Sequence, residues 1–337
     1  MDKVYDFMKK WKHIDLGQVF TPFHMALFAA KLIDVNKDDV VLDATAGTGA
    51  LLFAAIDQGC RHVLGCEFDP DVFQKLKSNL DGTDIEHNLI CGDASSKEVA
   101  EWIKKQNPTK AILNPPYEKK YNSAGIVLNV LNALPEGCQV ALFHQANFFD
   151  KFTKEQKEEL KKHRIKKIIR MPANLFQPFV SVQTAIYIIK ANIPQNDYRF
   201  YGYDIPDDGL RRAKGQYRVD RDGIWENELE PKLYDIISNE KENDIATRQV
   251  PDAGYSYRPK VSMACTKEDF IATTESYMAW KAKAILKDCF DLSEEQILIA
   301  AIGYYFGTEN ILPVLNKSSD EIKLLLKDRR NNNDKRN

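Results

Sequence analysis

No two of the six cysteines (Cys60, Cys66, Cys91, Cys138, Cys265, Cys289) form a C-x-x-C pair; they are scattered along the 337 residues. Such spacing offers neither a zinc site nor a disulfide frame, so buried thiols in a reducing compartment are expected. An excess of one charge is also lacking: 47 Lys and Arg stand against 49 Asp and Glu, a formal net charge of −2. That balance excludes a uniformly basic nucleic-acid coat protein, but not a local basic face or a partner that supplies one. The longest late apolar run, Ile297 to Phe306, is too short to span a bilayer. The start, Met1 to Tyr5, does not have the form of a signal peptide. A cytoplasmic protein without membrane or metal dependence is the expectation. There is no internal repeat. No complete G-x-G-x-x-G and no glycine loop ending in Lys-Ser/Thr occurs, so pyrophosphate binding is not advertised.

What is present begins with an ordinary globular composition, 44% hydrophobic and 28% charged, on a chain long enough for one large core and a smaller appended region. The most informative stretch is Asn114-Pro115-Pro116-Tyr117, directly after the apolar run Ala111-Ile112-Leu113. A strand that stops in two prolines cannot continue pairing, because proline lacks an N–H and fixes φ. Asn114, preceding a proline, is held extended. The result is a stiff loop at the carboxyl end of a strand, where open α/β sheets place their ligands. The loop offers an amide oxygen, a proline carbonyl and an aromatic ring, a set suited to a flat base with an exocyclic amine. A plain strand-to-turn connection with a packed tyrosine would use the same residues.

Three predicted strands precede this loop, and each ends in an acid. Asp39 to Asp43 leads into Ala44-Thr45-Ala46-Gly47-Thr48-Gly49-Ala50 and a helix from Leu51, the opening of a nucleotide-binding α/β unit. His62 to Cys66 ends in Glu67, about 20 residues after the glycine turn, where doubly wound folds grip a ribose diol. His87 to Cys91 ends in Gly92-Asp93-Ala94. Each acid alone suits a helix cap equally well. Together Asp43, Glu67 and Asp93 describe a pocket for a cationic amino acid, a ribose and an adenine, which are the parts of S-adenosylmethionine.

Upstream, residues 1–16 have amphipathic helical spacing. Gly17 to Pro22 forms a loop in which Thr21 suits an N-cap and Pro22 a first helical position. That capping explanation leaves Gln18 and Phe20 without a role. Downstream, a helix over 124–134, strand five over 138–144 and a charged helix over 151–167 lead to strand six (165–171), a loop carrying Phe176 and Phe179, and strand seven (184–189). Past residue 195 the polar, basic segment 207–218 interleaves arginine, lysine and tyrosine. It suits phosphate contacts and stacking as well as it suits a solvated hairpin. Helices are predicted over 231–239, 267–287 and 293–306.

The combination of Gly17-Gln18-Val19-Phe20-Thr21-Pro22, Asp43 to Gly49 and Asn114 to Tyr117, in that order, resembles the amino-group DNA adenine methyltransferases. Within them it is most similar to the modification subunits of type I restriction systems. The resemblance covers roughly residues 15–260, and is strong to about 190. It implies a Rossmann-like, seven-stranded, mostly parallel α/β sheet with an antiparallel edge, of the class I S-adenosylmethionine-dependent type. Domains are expected at 1–35 (a helical segment with a cofactor-capping loop), 36–195 (the catalytic domain) and 196–337 (a smaller, mainly helical accessory region). Implied catalytic residues are Asn114 and Pro115 as acceptors for the target amine, with Pro116, Tyr117 stacking on the base and Phe176 near its other face. Implied cofactor residues are Gln18, Phe20, Thr21, Asp43, Ala46, Gly47, Gly49, Glu67, Phe68, Asp93, Ala94 and Asn114. DNA is the implied partner, with a specificity subunit or a homodimer as further alternatives. Neither the long helical N-terminal domain of type I subunits nor a large target-recognition domain is expected here. Two other functions stay open at this level: methylation of a protein glutamine or an RNA guanine through the same tetrapeptide, and a non-catalytic DNA- or partner-binding subunit.

Overall fold

The computed structural model describes residues 21–176, 182–212, 218–220, 222–243, 245–250, 255 and 257. Predictions for the first twenty residues, including Gln18 and Phe20, for Phe179 and for everything past residue 257 lie outside the described residues. Helix α1 (Phe23–Leu32) comes first. Four β/α units then follow: β1 (Val40–Asp43) and α2 (Ala50–Asp57), β2 (His62–Glu67) and α3 (Pro70–Asp81), β3 (Glu86–Cys91) and α4 (Lys97–Gln106), β4 (Lys110–Leu113) and α5 (Ser123–Ala133). After β5 (Gln139–Gln145) and the short α6 (Lys154–Leu160) come β6 (Arg164–Arg170), β7 (Thr184–Lys190), β8 (Phe200–Asp204), the two-residue ribbon β9 (Arg211–Arg212) and β10 (Arg218–Val219), α7 (Glu230–Ser238) and β11 (Ala246–Gln249).

Nine of these strands form one sheet in the order 11-8-6-7-5-4-1-2-3. Strands β3, β2, β1, β4 and β5 are parallel, and their central members read as unbroken apolar runs because helices cover both faces. One face carries α1, α2, α3 and α7, with Met25, Phe28, Leu52, Leu76 and Ile237 in its core. The other carries α4, α5 and α6, with Ile103, Val127, Leu131 and Leu160. Local signals start the helices: Asp69 accepts from the Asp71 and Val72 amides ahead of Pro70, and Ser96 accepts from Val99.

The sheet corrects the sequence expectation in two ways. It has nine strands, not seven, because β8 pairs parallel to β6 and β11 antiparallel to β8. The sheet therefore runs on past residue 195. The late antiparallel strand is also internal, since β7 returns from β6 and inserts between β5 and β6. The reversed edge is β11.

Candidate active site

All the parallel strands present their carboxyl ends to one side, and there a cleft of about 400 Å³ opens. Its walls come from three places: the turn after β1, the tips of β2 and β3, and the loop after β4. Of the residues predicted for the site, Thr21, Asp43, Ala46, Gly47, Glu67, Phe68, Asp93, Ala94, Asn114, Pro115, Pro116 and Tyr117 line it together.

On the acidic wall the glycine turn is closed by Ala46 N–H donating to the Cys66 carbonyl (2.8 Å) and Gly49 N–H to Ala46 (2.8 Å). Glu67 holds the same turn. Its carboxylate accepts from Gly47 N–H at 2.7 Å and Asp69 N–H at 2.9 Å. Burial raises the Glu67 pKa against those two donors. Asp43 is 1% exposed, accepts from Thr45 N–H at 2.9 Å and has no basic side chain among the described residues acting on it. Burial first, and the neighbouring Glu67 charge as well, push its carboxyl up to about 7. Acids whose pKa is perturbed by burial in a cleft cluster at functional sites. Phe68 is 69% exposed on the rim. Asp93 accepts from both the Ser95 N–H and hydroxyl at 2.8 Å.

Gly49 is placed differently from the other expected cofactor residues. Its φ of +103° starts α2, and a Cβ there would meet Leu76 at 3.0 Å and Phe53 at 3.2 Å. Its missing side chain makes room for the core.

On the opposite wall, Asn114 donates from Nδ2 to the Thr21 hydroxyl at 2.9 Å, across 93 residues of sequence. This corrects the capping role expected of Thr21. Pro22 is the N-cap of α1 and no side chain caps it. The Thr21 hydroxyl instead orients the Asn114 amide. With Nδ2 committed to Thr21, Oδ1 is the end of the amide that accepts. The Pro116 carbonyl accepts from the Ser123 hydroxyl, which anchors the loop to α5. Tyr117 lies 4.8 Å from the His144 ring and edge-on to Phe176 at 6.0 Å. Phe176 is 3% exposed and belongs to the core cluster, so it supports Tyr117 and does not line the cleft.

Sequence reading missed several cleft residues: Thr45, Thr48, Ser95, Lys120, Tyr121 and Asn122. Asn122 could have been found, since Asn is the residue most tolerant of the left-handed cap it adopts (φ +48°). The others carry no signal without the fold. Among the described residues no group of His, Cys, Asp or Glu is arranged to hold a metal. No helix among them is long and apolar enough to cross a membrane.

Strand order 3-2-1-4-5-7-6 with β7 reversed, an acid at the tip of β1 and of β2, and a cleft above them define the class I S-adenosylmethionine-dependent methyltransferase fold. Comparison with known proteins agrees. The family model described as Conserved hypothetical protein 95 matches residues 24–175. The chain is 28% identical over 225 residues to the type II restriction enzyme and methyltransferase RM.BcgI of Heyndrickxia coagulans, covering 58% of this chain and 34% of that protein. It is 29% identical over 115 residues to the type II methyltransferase M.HincII of Haemophilus influenzae, covering 34% of this chain and 20% of the relative. An uncharacterized RNA methyltransferase of Streptococcus agalactiae is 29% identical over 84 residues, 25% of this chain and 18% of that one. Among solved structures, a modification subunit from Vibrio vulnificus, assigned to a type I restriction enzyme, superposes with a TM-score of 0.57 at 17% identity, over 75% of this chain and 59% of that one. The M protein of the type I enzyme EcoKI gives 0.52 at 16% identity, over 64% and 54%. Restriction-modification methyltransferases are thus among the homologues of this chain, which spans about a third of the length of RM.BcgI.

Proposed function

We propose that this chain methylates the exocyclic N6 amine of adenine in DNA, with S-adenosylmethionine as methyl donor. The observation that carries the reading is the Asn114–Thr21 bond, which commits Nδ2 and leaves Oδ1 as the accepting end of an amide whose residue lines the same cleft as Asp43 and Glu67. The residues present fit the cofactor. Asp43 suits an α-ammonium group, Glu67 a ribose diol, and Phe68 with Asp93 and Ala94 an adenine. When bound, the cofactor supplies a methyl group already activated on a sulfonium.

The rest of the work falls to the protein. An exocyclic amine is a poor nucleophile because its lone pair is delocalised into the ring. Asn114 Oδ1 and the Pro115 carbonyl accept its two hydrogens, draw the nitrogen towards tetrahedral geometry and localise that pair. Positioning and electrostatics of this kind need no covalent intermediate on the enzyme. An adenine cannot be reached inside a duplex, and flipping it out costs a few kcal/mol, which stacking on Tyr117 offsets. By analogy with the restriction-modification relatives, the DNA partner extends to a specificity subunit or a second copy of the chain.

The test is methyl incorporation from labelled cofactor on DNA, RNA and protein in parallel. DNA labelling at adenine is expected. Labelling of RNA or of a protein amide would replace the substrate in this reading, and the RNA methyltransferase relative makes RNA the rival to include. The Asn114→Ala variant is expected to lose methylation while binding S-adenosylhomocysteine near wild-type affinity. Turnover at the wild-type rate refutes the role given to Asn114.

A further inference from the structure

His144 lies at the end of β5, is 2% exposed and does not line the cleft. Its ring is stacked on Phe148 at 3.5 Å and faces Tyr117 at 4.8 Å. Nδ1 accepts the Gln145 N–H at 2.8 Å, so the neutral ring carries its proton on Nε2. Burial, reinforced by the Lys151 charge, pulls the imidazole down to about 3 and keeps it neutral, against an opposing pull from the Pro116 carbonyl. That carbonyl accepts from Ser123. Among the described residues neither the buried Nε2 nor the buried hydroxyl of Tyr117 completes a hydrogen bond, the Pro116 carbonyl that acts on the imidazole being bonded by Ser123. Native structures rarely leave buried polar atoms unmade, and here two adjoining rings each keep one directly behind the catalytic loop.

A phenylalanine or leucine at 144 would fill the space on Phe148 without an orphaned N–H. The imidazole is therefore explained by a bond made in another state of the site. We propose that His144 is a positioning residue for Tyr117: its Nε2–H donates to the Tyr117 hydroxyl when that ring takes up the target base, holding it in the stacking position. The inference rests on the reading of Tyr117 as the base-stacking ring. It goes further in assigning a specific partner to the tyrosine hydroxyl, and so a reason for tyrosine over phenylalanine at the end of the tetrapeptide.

The test is a cycle of His144→Phe, His144→Gln, Tyr117→Phe and the His144→Phe/Tyr117→Phe double variant in the full chain. Each is assayed for kcat and KM on whichever substrate the wild type methylates, and for S-adenosylhomocysteine affinity. His144→Phe keeps the ring and loses the donor, and is expected to lower kcat/KM about three- to tenfold, the worth of one hydrogen bond. Cofactor affinity should stay unchanged. His144→Gln restores a donor near the Nε2 position and should recover most of the loss. The double variant should be no worse than the worse single one. The inference is overturned if His144→Phe equals wild type while His144→Gln is impaired, because the ring then serves only packing. It is overturned equally if the two losses multiply in the double variant, since the imidazole then serves the Pro116 carbonyl. If the wild type methylates RNA or protein instead of DNA, the proposed substrate falls and the cycle is read on the new one. If it methylates nothing, both the function and this inference fall.

Discussion

Replacing Asp43 by Asn should stabilise the free protein and weaken its hold on the cofactor, and the two effects have one cause. The folded-state carboxyl holds its proton to about pH 7, against an ordinary value of 3.8, chiefly because burial penalises the charge. Between those values the folded chain binds more protons at this site than the unfolded chain. Stability must therefore fall as pH rises from about 4 to about 7 and level off above. Three units at about 1.36 kcal/mol each set an upper bound of roughly 4 kcal/mol on the penalty at slightly alkaline pH. Asparagine removes the titration and still offers an oxygen to the Thr45 N–H. The variant should unfold at higher urea than wild type in alkaline buffer, and the gap should close towards pH 4. Glu67 is also raised and is coupled to Asp43, so the difference between the two proteins reports the Asp43 titration together with that coupling. Binding runs the other way. An ammonium group beside Asp43 requires the carboxylate, so wild-type affinity for S-adenosylhomocysteine, measured by calorimetry, should weaken about tenfold per pH unit below 7. The Asn variant should bind weakly with little pH dependence. Parallel pH profiles for the two proteins, in stability or in affinity, would show that Asp43 is ionised in the free protein and refute the assignment.

Thr21→Val removes the acceptor for Asn114 Nδ2. With the bond that orients the Asn114 amide lost, worth about 0.5–1.5 kcal/mol, kcat should drop severalfold to about tenfold while cofactor affinity changes less. Glu67→Gln keeps the shape but sets an NH2 group against the Gly47 or Asp69 N–H. Cofactor affinity should fall about tenfold, read by the same calorimetry. Gly49→Ala forces a side chain into left-handed backbone and against Leu76, costing about 2 kcal/mol in urea unfolding. An unchanged midpoint would mean that the turn relaxes freely.

Fold class was legible early because a strand buried on both faces must be written as an apolar run. The acids Asp43, Glu67 and Asp93 also stand just where those runs stop. The proline pair told that the β4 tip is rigid, since proline's limits are local and act whatever the surroundings. Thr21 was read as a cap for the same reason: local rules see only neighbours in sequence, and its true partner lies 93 residues away. The extra strands β8 and β11 were missed because short strands have no strong pattern until a sheet offers them a hydrogen-bonding edge.

The sequence by itself determined the order of the elements, the stiffness of the Asn114 loop and the supply of acids, all consequences of dihedral limits and of apolar spacing. Only the tertiary structure decided that Asn114 faces Thr21, that Asp43 keeps its proton to about pH 7 and that His144 lies behind Tyr117. Those facts depend on which distant groups share a low-dielectric space, and distance along a chain carries no information about that.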